Sequence, residues 1–167
     1  MRIAGVMHES YVDGPGVRFV VFAQGCPHHC PGCHNPETWD PAKGEEWSVR
    51  DLFRIIRRLP DSVQGLTLSG GEPFMQAGQM AELASLARKR GMSVVTYSGY
   101  VYDDLLDMAG RDADVARLLE ETDILVDGPF VEKLKDIGLR FRGSANQRVI
   151  DVKASREAGA VVLMPEE

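Results

Sequence analysis

Short strand-type segments alternate with helical segments along most of this 167-residue chain. In chain order they are 17–24, 48–59, 66–68, 79–90, 92–96, 102–121 and 123–126, followed by the strand-type segments 147–152 and 160–164. Such alternation predicts a mostly parallel sheet whose strands are joined by right-handed helical crossovers. A closed eight-fold barrel needs roughly 200 residues or more. We therefore predict an α/β fold in which a curved, mostly parallel sheet with outer helices forms an incomplete, TIM-like barrel.

The ends of the first helical segment are marked by residue type. Ser48 is a favoured N-cap residue, and Asp51 follows it in the manner of a capping box. Pro60 cannot continue a helix, so we predict that the helix ends before it. The helical pattern of 102–121 is broken near Gly110.

Length and composition favour one globular domain, residues 1–167, in the cytoplasm. The apolar share is 44% and the charged share 26%, as in ordinary globular domains. Unbroken apolar runs such as Phe19–Ala23 are too short to span a bilayer. The first residues of the sequence do not show a signal-peptide pattern. The net charge of −6 argues against a nucleic-acid polymer as the main partner.

Four polar or glycine-rich stretches follow predicted strands. They are the cysteine loop (25–47), SGGEP (69–73), YSGY (97–100) and DGPF (127–130). The carboxyl ends of parallel strands meet at one edge of a sheet, which is where such folds carry their sites. We therefore expect these four stretches to lie together.

All three cysteines, Cys26, Cys30 and Cys33, lie within GCPHHCPGCHN and have the spacing C-x3-C-x2-C. An odd, tightly clustered set does not resemble a disulfide framework, and it indicates metal binding or redox chemistry. A four-iron cluster held by three thiolates would leave one iron open to a substrate or cofactor.

Two alternatives to a cluster exist for these thiols. Structural zinc requires a fourth ligand, for which the candidates are His28, His29 and His34. Three inert buried thiols are the second alternative, although prolines and histidines make the loop a poor apolar environment.

The cysteine spacing after a first strand resembles the radical S-adenosylmethionine superfamily, and SGGEP is similar to that superfamily's second motif. The resemblance implies a [4Fe-4S] cluster with Cys26, Cys30 and Cys33 as its three protein ligands, and S-adenosylmethionine as the cofactor that chelates the open iron.

The residues of SGGEP suit such a cofactor. Gly70 and Gly71 have no side chain, so their backbone can approach a ligand closely. Glu72 adds a carboxylate for the cationic methionyl end. Taken alone, the same residues are also typical of a tight turn ahead of a helix, with Pro73 near the first helical position.

Longer stretches narrow the resemblance to activating enzymes of glycyl-radical proteins. DGPGVRFVVFAQGC (13–26) and CHNPETW (33–39) carry it. Two later stretches, DGPFVEKLKD (127–136) and RGSANQRVID (142–151), are similar to the activating proteins of anaerobic ribonucleoside-triphosphate reductases. Activases of the pyruvate formate-lyase type, which are typically longer, and small-molecule radical S-adenosylmethionine enzymes are the alternatives.

This resemblance implies reductive cleavage of S-adenosylmethionine, with an electron from flavodoxin or a ferredoxin-type donor. The products are methionine and a 5′-deoxyadenosyl radical, which removes a hydrogen atom from a glycine Cα in the glycyl-radical subunit of the reductase. No residue of this chain is required as a general acid or base, so no catalytic side chain is predicted.

Three further residues are candidates for cofactor binding. Gly32 and His34 flank Cys33, where the family's adenine contacts fall. Asp127 follows a predicted strand, at a place where an acidic residue of related activases approaches the cofactor or a cation. The alternatives are a loop histidine bonded to backbone for His34 and an Asp-Gly turn for Asp127.

Overall fold

A seven-stranded sheet organises residues 1–165, which are the residues that the computed structural model describes. Its strands are β1 (Arg2–Ser10), β2 (Arg18–Ala23), β3 (Glu45–Glu46), β4 (Gly65–Gly70), β5 (Ser93–Tyr97), β6 (Ile124–Asp127) and β7 (Arg148–Asp151). They lie in the order β3-β1-β2-β4-β5-β6-β7, so the sheet is open. β2, β4, β5 and β6 are parallel, which confirms the predicted α/β fold with an open, mostly parallel sheet.

The outer strands run against the central direction. β1 is antiparallel to both β2 and β3, and β7 is antiparallel to β6. The sequence pattern did not predict β1. The predicted strand at 160–164 is wrong, because this segment makes a single bridge between Leu163 and Ile150 rather than a ladder.

Four of the five α-helices among the described residues lie between the parallel strands in chain order, and the fifth follows β7. The helices are α1 (Val49–Arg57), α2 (Ala77–Lys89), α3 (Tyr102–Ala109), α4 (Ala113–Glu120) and α5 (Val152–Ala158). The predicted start of α1 is confirmed: the Ser48 hydroxyl accepts from the Asp51 N–H at 3.0 Å, and the Asp51 carboxylate accepts from the Ser48 N–H at 3.4 Å. The break near Gly110 separates α3 from α4.

The main core lies between the sheet and the helices. Strand residues such as Phe19 and Leu68 pack with Leu52 of α1 and Met80 of α2, and all four side chains are fully buried. Full burial of one such side chain contributes about 1.5–3 kcal/mol, so this layer holds the helices on the sheet. Among the described residues, no helix combines the length and apolar character needed to cross a membrane.

A buried cation, Arg18, joins the amino ends of three strands. It begins β2 and has no exposed surface. Its guanidinium donates to the Thr67 hydroxyl at 2.8 Å, to the Leu66 carbonyl at 2.9 Å and to the Ser93 carbonyl at 2.8 Å. Burial lowers the pKa of Arg18 to about 10, so the group stays charged at neutral pH.

Candidate functional site

The four polar stretches lie at the carboxyl edge of the parallel strands, hereafter the carboxyl rim. The cysteine loop follows β2, SGGEP ends β4, YSGY ends β5 and DGPF ends β6. These strands are neighbours in parallel register, so their ends meet at one edge. The predicted meeting of the four stretches is therefore confirmed.

The three cysteines are free thiols, and each is half-buried. The cysteine loop is fixed at its base by backbone bonds: the Cys26 N–H donates to the Trp39 carbonyl at 3.1 Å, and the Cys33 N–H donates to the Cys30 carbonyl at 3.1 Å. The Cys33 sulfur accepts from the Asn35 N–H at 3.4 Å. The thiols thus project from a segment whose path is set by its own backbone.

Burial raises the pKa of the Cys26 thiol, and repulsion from Glu72 and Cys30 adds to that rise. The backbone N–H groups of His28 and His29 act against this rise, because they favour the thiolate. A thiol bound to a metal is deprotonated, so metal binding would remove this proton from Cys26.

The donor set of three free thiols suits an iron–sulfur cluster, whose usual protein ligands are cysteine thiolates. In a cubane cluster each thiolate binds a different iron, so the sulfurs need not meet at one point.

SGGEP is hydrogen-bonded directly to the cysteine loop and its approach. The Gly71 N–H donates to the Ala23 carbonyl at 2.8 Å, and the Glu72 N–H donates to the Gly25 carbonyl at 2.8 Å. A Cβ at Gly71 would collide with that Gly25 carbonyl, and one at Gly70 would lie 2.6 Å from the Ala23 nitrogen. Side chains at these two glycines would therefore separate the two segments.

The Glu72 carboxylate is fully buried and receives four hydrogen bonds. Oε1 accepts from His28 Nε2 at 2.7 Å, from the Ser98 hydroxyl at 2.9 Å and from the Gly99 N–H at 2.8 Å. Oε2 accepts from the Phe74 N–H at 3.1 Å. Oε1 thus receives three hydrogen bonds and Oε2 one, so Oε2 is the less occupied oxygen. Direct contact between Glu72 and a cofactor stays a prediction.

His28 is the site residue that the sequence did not single out. Its ring lies edge-on to Tyr100, with centroids 4.5 Å apart, and it reaches the carboxylate of Glu72. Nothing in the local sequence indicates this partner, because the two residues are 44 positions apart and meet only when the parallel strands align.

Gly32 and His34 contact the segment that follows β6. Gly32 has φ +77°, and a Cβ there would lie 2.8 Å from the Glu132 carboxyl carbon. The His34 ring lies 5.1 Å from the Phe130 ring. Both residues therefore lie between the third cysteine and DGPF, and their predicted contact with adenine stays a prediction.

Asp127 has protein partners for both carboxylate oxygens. Arg148 donates to Oδ1 at 3.1 Å and to Oδ2 at 2.6 Å, and the Tyr102 N–H at the start of α3 donates to Oδ2 at 2.8 Å. This pair raises the pKa of Arg148. The arrangement ties β6 to β7 and α3, and a direct role of Asp127 at a cofactor stays a prediction.

A cavity of about 540 Å³ adjoins the carboxyl rim. Segments 11–16 and 137–143 line it, together with His34 and Tyr97. The side chains of Tyr11, Val12 and Ile137 at this cavity are strongly exposed, Ile137 to 94%. The cavity therefore extends from an exposed apolar surface to His34, which follows Cys33.

A family model described as a 4Fe-4S single cluster domain matches residues 12–150. The thiol-bearing rim thus lies in a domain of the single-cluster iron–sulfur class. The anaerobic ribonucleoside-triphosphate reductase-activating protein of Escherichia coli is 37% identical over 145 residues, covering 83% of this chain and 90% of that protein. The protein of that name from Vibrio cholerae is 36% identical, covering 81% and 88%. The chain belongs to the family of anaerobic ribonucleoside-triphosphate reductase-activating proteins.

Two other matches cover a smaller share of the matched protein. The pyruvate formate-lyase-activating enzyme of Listeria monocytogenes is 34% identical over 86% of this chain, but the match covers only 59% of that enzyme. The crystal structure of QueE from Escherichia coli overlaps 59% of this chain and 52% of its own, with a TM-score of 0.46 and 23% identity.

Proposed function

We propose that this protein activates an anaerobic ribonucleoside-triphosphate reductase by generating a glycyl radical on it. The observation that carries the proposal is the direct bonding of SGGEP to the cysteine loop through Gly71 and Glu72. This contact joins a three-thiol cluster site to a backbone segment suited to the methionyl end of S-adenosylmethionine. Family membership across most of both chains supports the choice of substrate.

In this proposal Cys26, Cys30 and Cys33 hold a [4Fe-4S] cluster and leave one iron for S-adenosylmethionine. When bound, these groups supply one-electron chemistry that removes a hydrogen atom from a glycine Cα of the partner. The chain's own task is to bind and orient them and to exclude water. No side chain is required to move a proton, and residues 1–167 act as one domain.

The proposed S-adenosylmethionine site is formed by Gly32, His34, Gly70, Gly71 and Glu72, with Asp127 at its border. Gly70 and Gly71 let SGGEP lie directly against the approach to the cysteine loop, which would bring the methionyl end beside the cluster. Glu72 would supply a carboxylate for the ammonium group through Oε2, which accepts only from the Phe74 N–H among the hydrogen bonds described. Asp127 would reach a ligand only by exchanging Arg148 or the Tyr102 N–H, so its contribution is expected to be smaller.

The partner's glycine segment would reach the cluster through the cavity beside His34. Exposed apolar side chains at its mouth, Tyr11, Val12 and Ile137, are of the type that protein partners cover. The electron donor in this scheme is a flavodoxin or ferredoxin-type protein, which meets the chain elsewhere.

The test begins with anaerobic purification and reconstitution with iron and sulfide. We expect a coloured protein with about four irons per chain. After addition of dithionite and S-adenosylmethionine we expect 5′-deoxyadenosine, and with the cognate reductase a glycyl-radical signal in electron paramagnetic resonance (EPR). Cys30→Ala should abolish the colour of the reconstituted protein, the formation of 5′-deoxyadenosine and the glycyl-radical signal. A colourless zinc protein, or an unaffected Cys30→Ala variant, would contradict the proposal.

An activase of the pyruvate formate-lyase type is the second candidate. The 34% identity to the Listeria monocytogenes enzyme favours it, while that enzyme's greater length disfavours it. The two candidates differ in one measurement: a radical signal on a pyruvate formate-lyase but not on the reductase would replace the first candidate by the second.

A further inference from the structure

His28 lies midway between Cys26 and Cys30, and it brings the cysteine loop into contact with two other stretches of the carboxyl rim. Its Nε2 lies 2.7 Å from Oε1 of Glu72, within SGGEP. Its ring packs against Tyr100 of YSGY, with an interplanar angle of 78°. Since a carboxylate only accepts hydrogen bonds, Nε2–H is the donor in the first contact.

The space for this ring depends on Gly99. A Cβ at that position would collide with Cδ2 of His28. The Gly99 N–H donates to the same Oε1 that His28 reaches, at 2.8 Å. The imidazole therefore occupies a fitted place, bounded by the Glu72 carboxylate, the Gly99 backbone and the Tyr100 ring.

The position of this ring is transmitted to a thiol. Glu72 also donates its backbone N–H to the Gly25 carbonyl at 2.8 Å, one residue before Cys26. Together with this bond, a His28 side chain held by Glu72 and Gly99 fixes the path of the chain on both sides of the first cysteine. Glu72 in turn is fully buried, so the carboxylate cannot move without disturbing Ser98 and Phe74.

We infer that His28 is a positioning residue that orients the Cys26–Cys30 segment and the Glu72 carboxylate relative to each other; the inference rests on the proposed function. His28 is not a metal ligand in this scheme. Its hydrogen bond to Glu72 holds the cysteine loop against SGGEP, so that the cluster and the methionyl end of S-adenosylmethionine meet in one geometry.

The adjacent histidine provides a matched control. His29 is exposed, has φ +46° and stacks on Trp39 with centroids 4.6 Å apart, so its ring has a different partner from that of His28. Asn tolerates this left-handed conformation. His29→Asn therefore changes a neighbouring imidazole without touching the Glu72 contact.

The experiment compares His28→Phe, which keeps a ring without the donor, with His28→Gln, which keeps a donor without the ring. Both are made in the full chain beside His29→Asn and reconstituted without oxygen. The readouts are iron per chain, the change that S-adenosylmethionine causes in the EPR spectrum of the reduced cluster, and KM and kcat for cleavage. A further readout is the rate of Cys26 alkylation by iodoacetamide in the cluster-free chain.

We expect His28→Phe to raise KM for S-adenosylmethionine by about tenfold or more, as loss of a hydrogen bond to a charged group would. Its EPR change should differ from that of the wild type. Cys26 alkylation should become severalfold faster, because a loop that is no longer held against SGGEP exposes the half-buried thiol. The KM, EPR change and alkylation rate of His28→Gln should be close to those of the wild type. His29→Asn should match the wild type in all three.

Equal KM, EPR and alkylation in His28→Phe and His29→Asn would overturn the inference, as would a folded His28→Gln variant that is as impaired as His28→Phe. If His28→Phe does not fold, as judged by circular dichroism, His28→Gln decides: wild-type values support the inference and a tenfold higher KM contradicts it. A wild-type chain that holds no cluster would refute the proposed function instead, while the alkylation rates would still test His28.

Discussion

Arg18 and Glu72 are two fully buried charged side chains at opposite ends of the same three strands. Arg18 joins the amino ends of β2, β4 and β5, where it donates to Thr67, Leu66 and Ser93. Glu72 joins the segments that follow those strands, where it accepts from His28, Ser98 and Gly99. At the amino ends a cation is surrounded by backbone carbonyls and hydroxyls. At the carboxyl ends an anion is surrounded by hydrogen-bond donors from the loops.

The difference lies in what each charge holds together. Arg18 binds atoms of the strands themselves, which the sheet ladder already restrains. Glu72 joins its own loop to two others, the cysteine loop and YSGY, at a point beyond the strand ladder. The cysteine loop and SGGEP carry the proposed cluster and cofactor contacts. We therefore expect substitutions at Arg18 to reduce stability alone, and substitutions around Glu72 to change the site at a smaller cost in stability.

The largest effect is expected for Arg18→Met. Several buried acceptors lose their donor, and the free energy of unfolding should fall by about 3 kcal/mol. Urea denaturation of the cluster-free chain measures it, with Arg18→Lys as the control that keeps the charge but loses the planar fork. The folded fraction should retain the wild-type KM for S-adenosylmethionine. A raised KM would contradict the contrast between Arg18 and Glu72, because it would show that the amino ends of the strands also affect the site.

Glu72→Gln should have an intermediate effect on stability and a clear one on binding. The amide nitrogen would meet either the Phe74 N–H or the donors at Oε1, so we expect a loss of about 1.5–2 kcal/mol in the free energy of unfolding. KM for S-adenosylmethionine should rise about tenfold. Unchanged KM together with a stability loss as large as that of Arg18→Met would make Glu72 a structural residue of the same kind as Arg18.

Ser98→Ala removes one donor from Oε1 and leaves two. The expected loss in the free energy of unfolding is about 1 kcal/mol, and the rise in KM should be smaller than that for Glu72→Gln. Measuring both variants and their combination gives the coupling between the two groups. Strict additivity would show that Ser98 and Glu72 act independently.

The smallest effect is expected at Tyr97, which lies on the same rim but outside the Glu72 contacts. Its hydroxyl donates to the Phe141 carbonyl at 2.6 Å, and burial raises its pKa above the usual value of a tyrosine. A raised pKa in the folded state means that its contribution to stability is present below pH about 10 and is lost as the pH rises further. Unfolding measured between pH 8 and 11 should show this loss, and Tyr97→Phe should reduce it. An identical pH dependence in both proteins would contradict the assignment.

The central part of the fold could be predicted because its signals are local. The Ser48 and Asp51 cap marks α1, and the apolar strands alternate with helices as parallel sheets require. β1 was missed because its pairing with β2 is irregular between Ile3 and Gly5 and again between Met7 and Ser10. Each irregularity shifts the alternation of inward and outward side chains, which is the pattern that a strand prediction needs.

The end of the chain was misjudged for a different reason. Asp151 caps α5 by accepting from the Ala154 N–H at 3.0 Å, and Gly159 ends the helix with φ +67°. The apolar residues after it lie against the sheet without forming a ladder. Met164 packs against the cluster of Val95, Ile124 and Val126, and its N–H donates to the Val149 carbonyl at 2.8 Å. Apolar character alone does not separate a strand from an extended segment that packs on a sheet.

In the site, the sequence led to the thiols and to SGGEP because their spacing is itself the signal. It did not lead to His28, since three histidines lie near the cysteines and local spacing does not distinguish them. Only the parallel register of β2, β4 and β5 brings His28 to Glu72 and Gly99. Asp127 shows a similar limit, because its position at the end of a strand suggested a ligand, and the local sequence does not indicate its partners Arg148 and the Tyr102 N–H.

The sharing of Glu72 among three loops has a consequence for protein engineering. The C-x3-C-x2-C loop is not a self-contained cassette that can be grafted onto another sheet. A transplant would need the carboxylate after β4 and a glycine after β5 as well, placed on neighbouring parallel strands. Without them, His28 would have neither its hydrogen-bond acceptor nor its space, and the grafted cysteines would have the right spacing on a loop of the wrong shape.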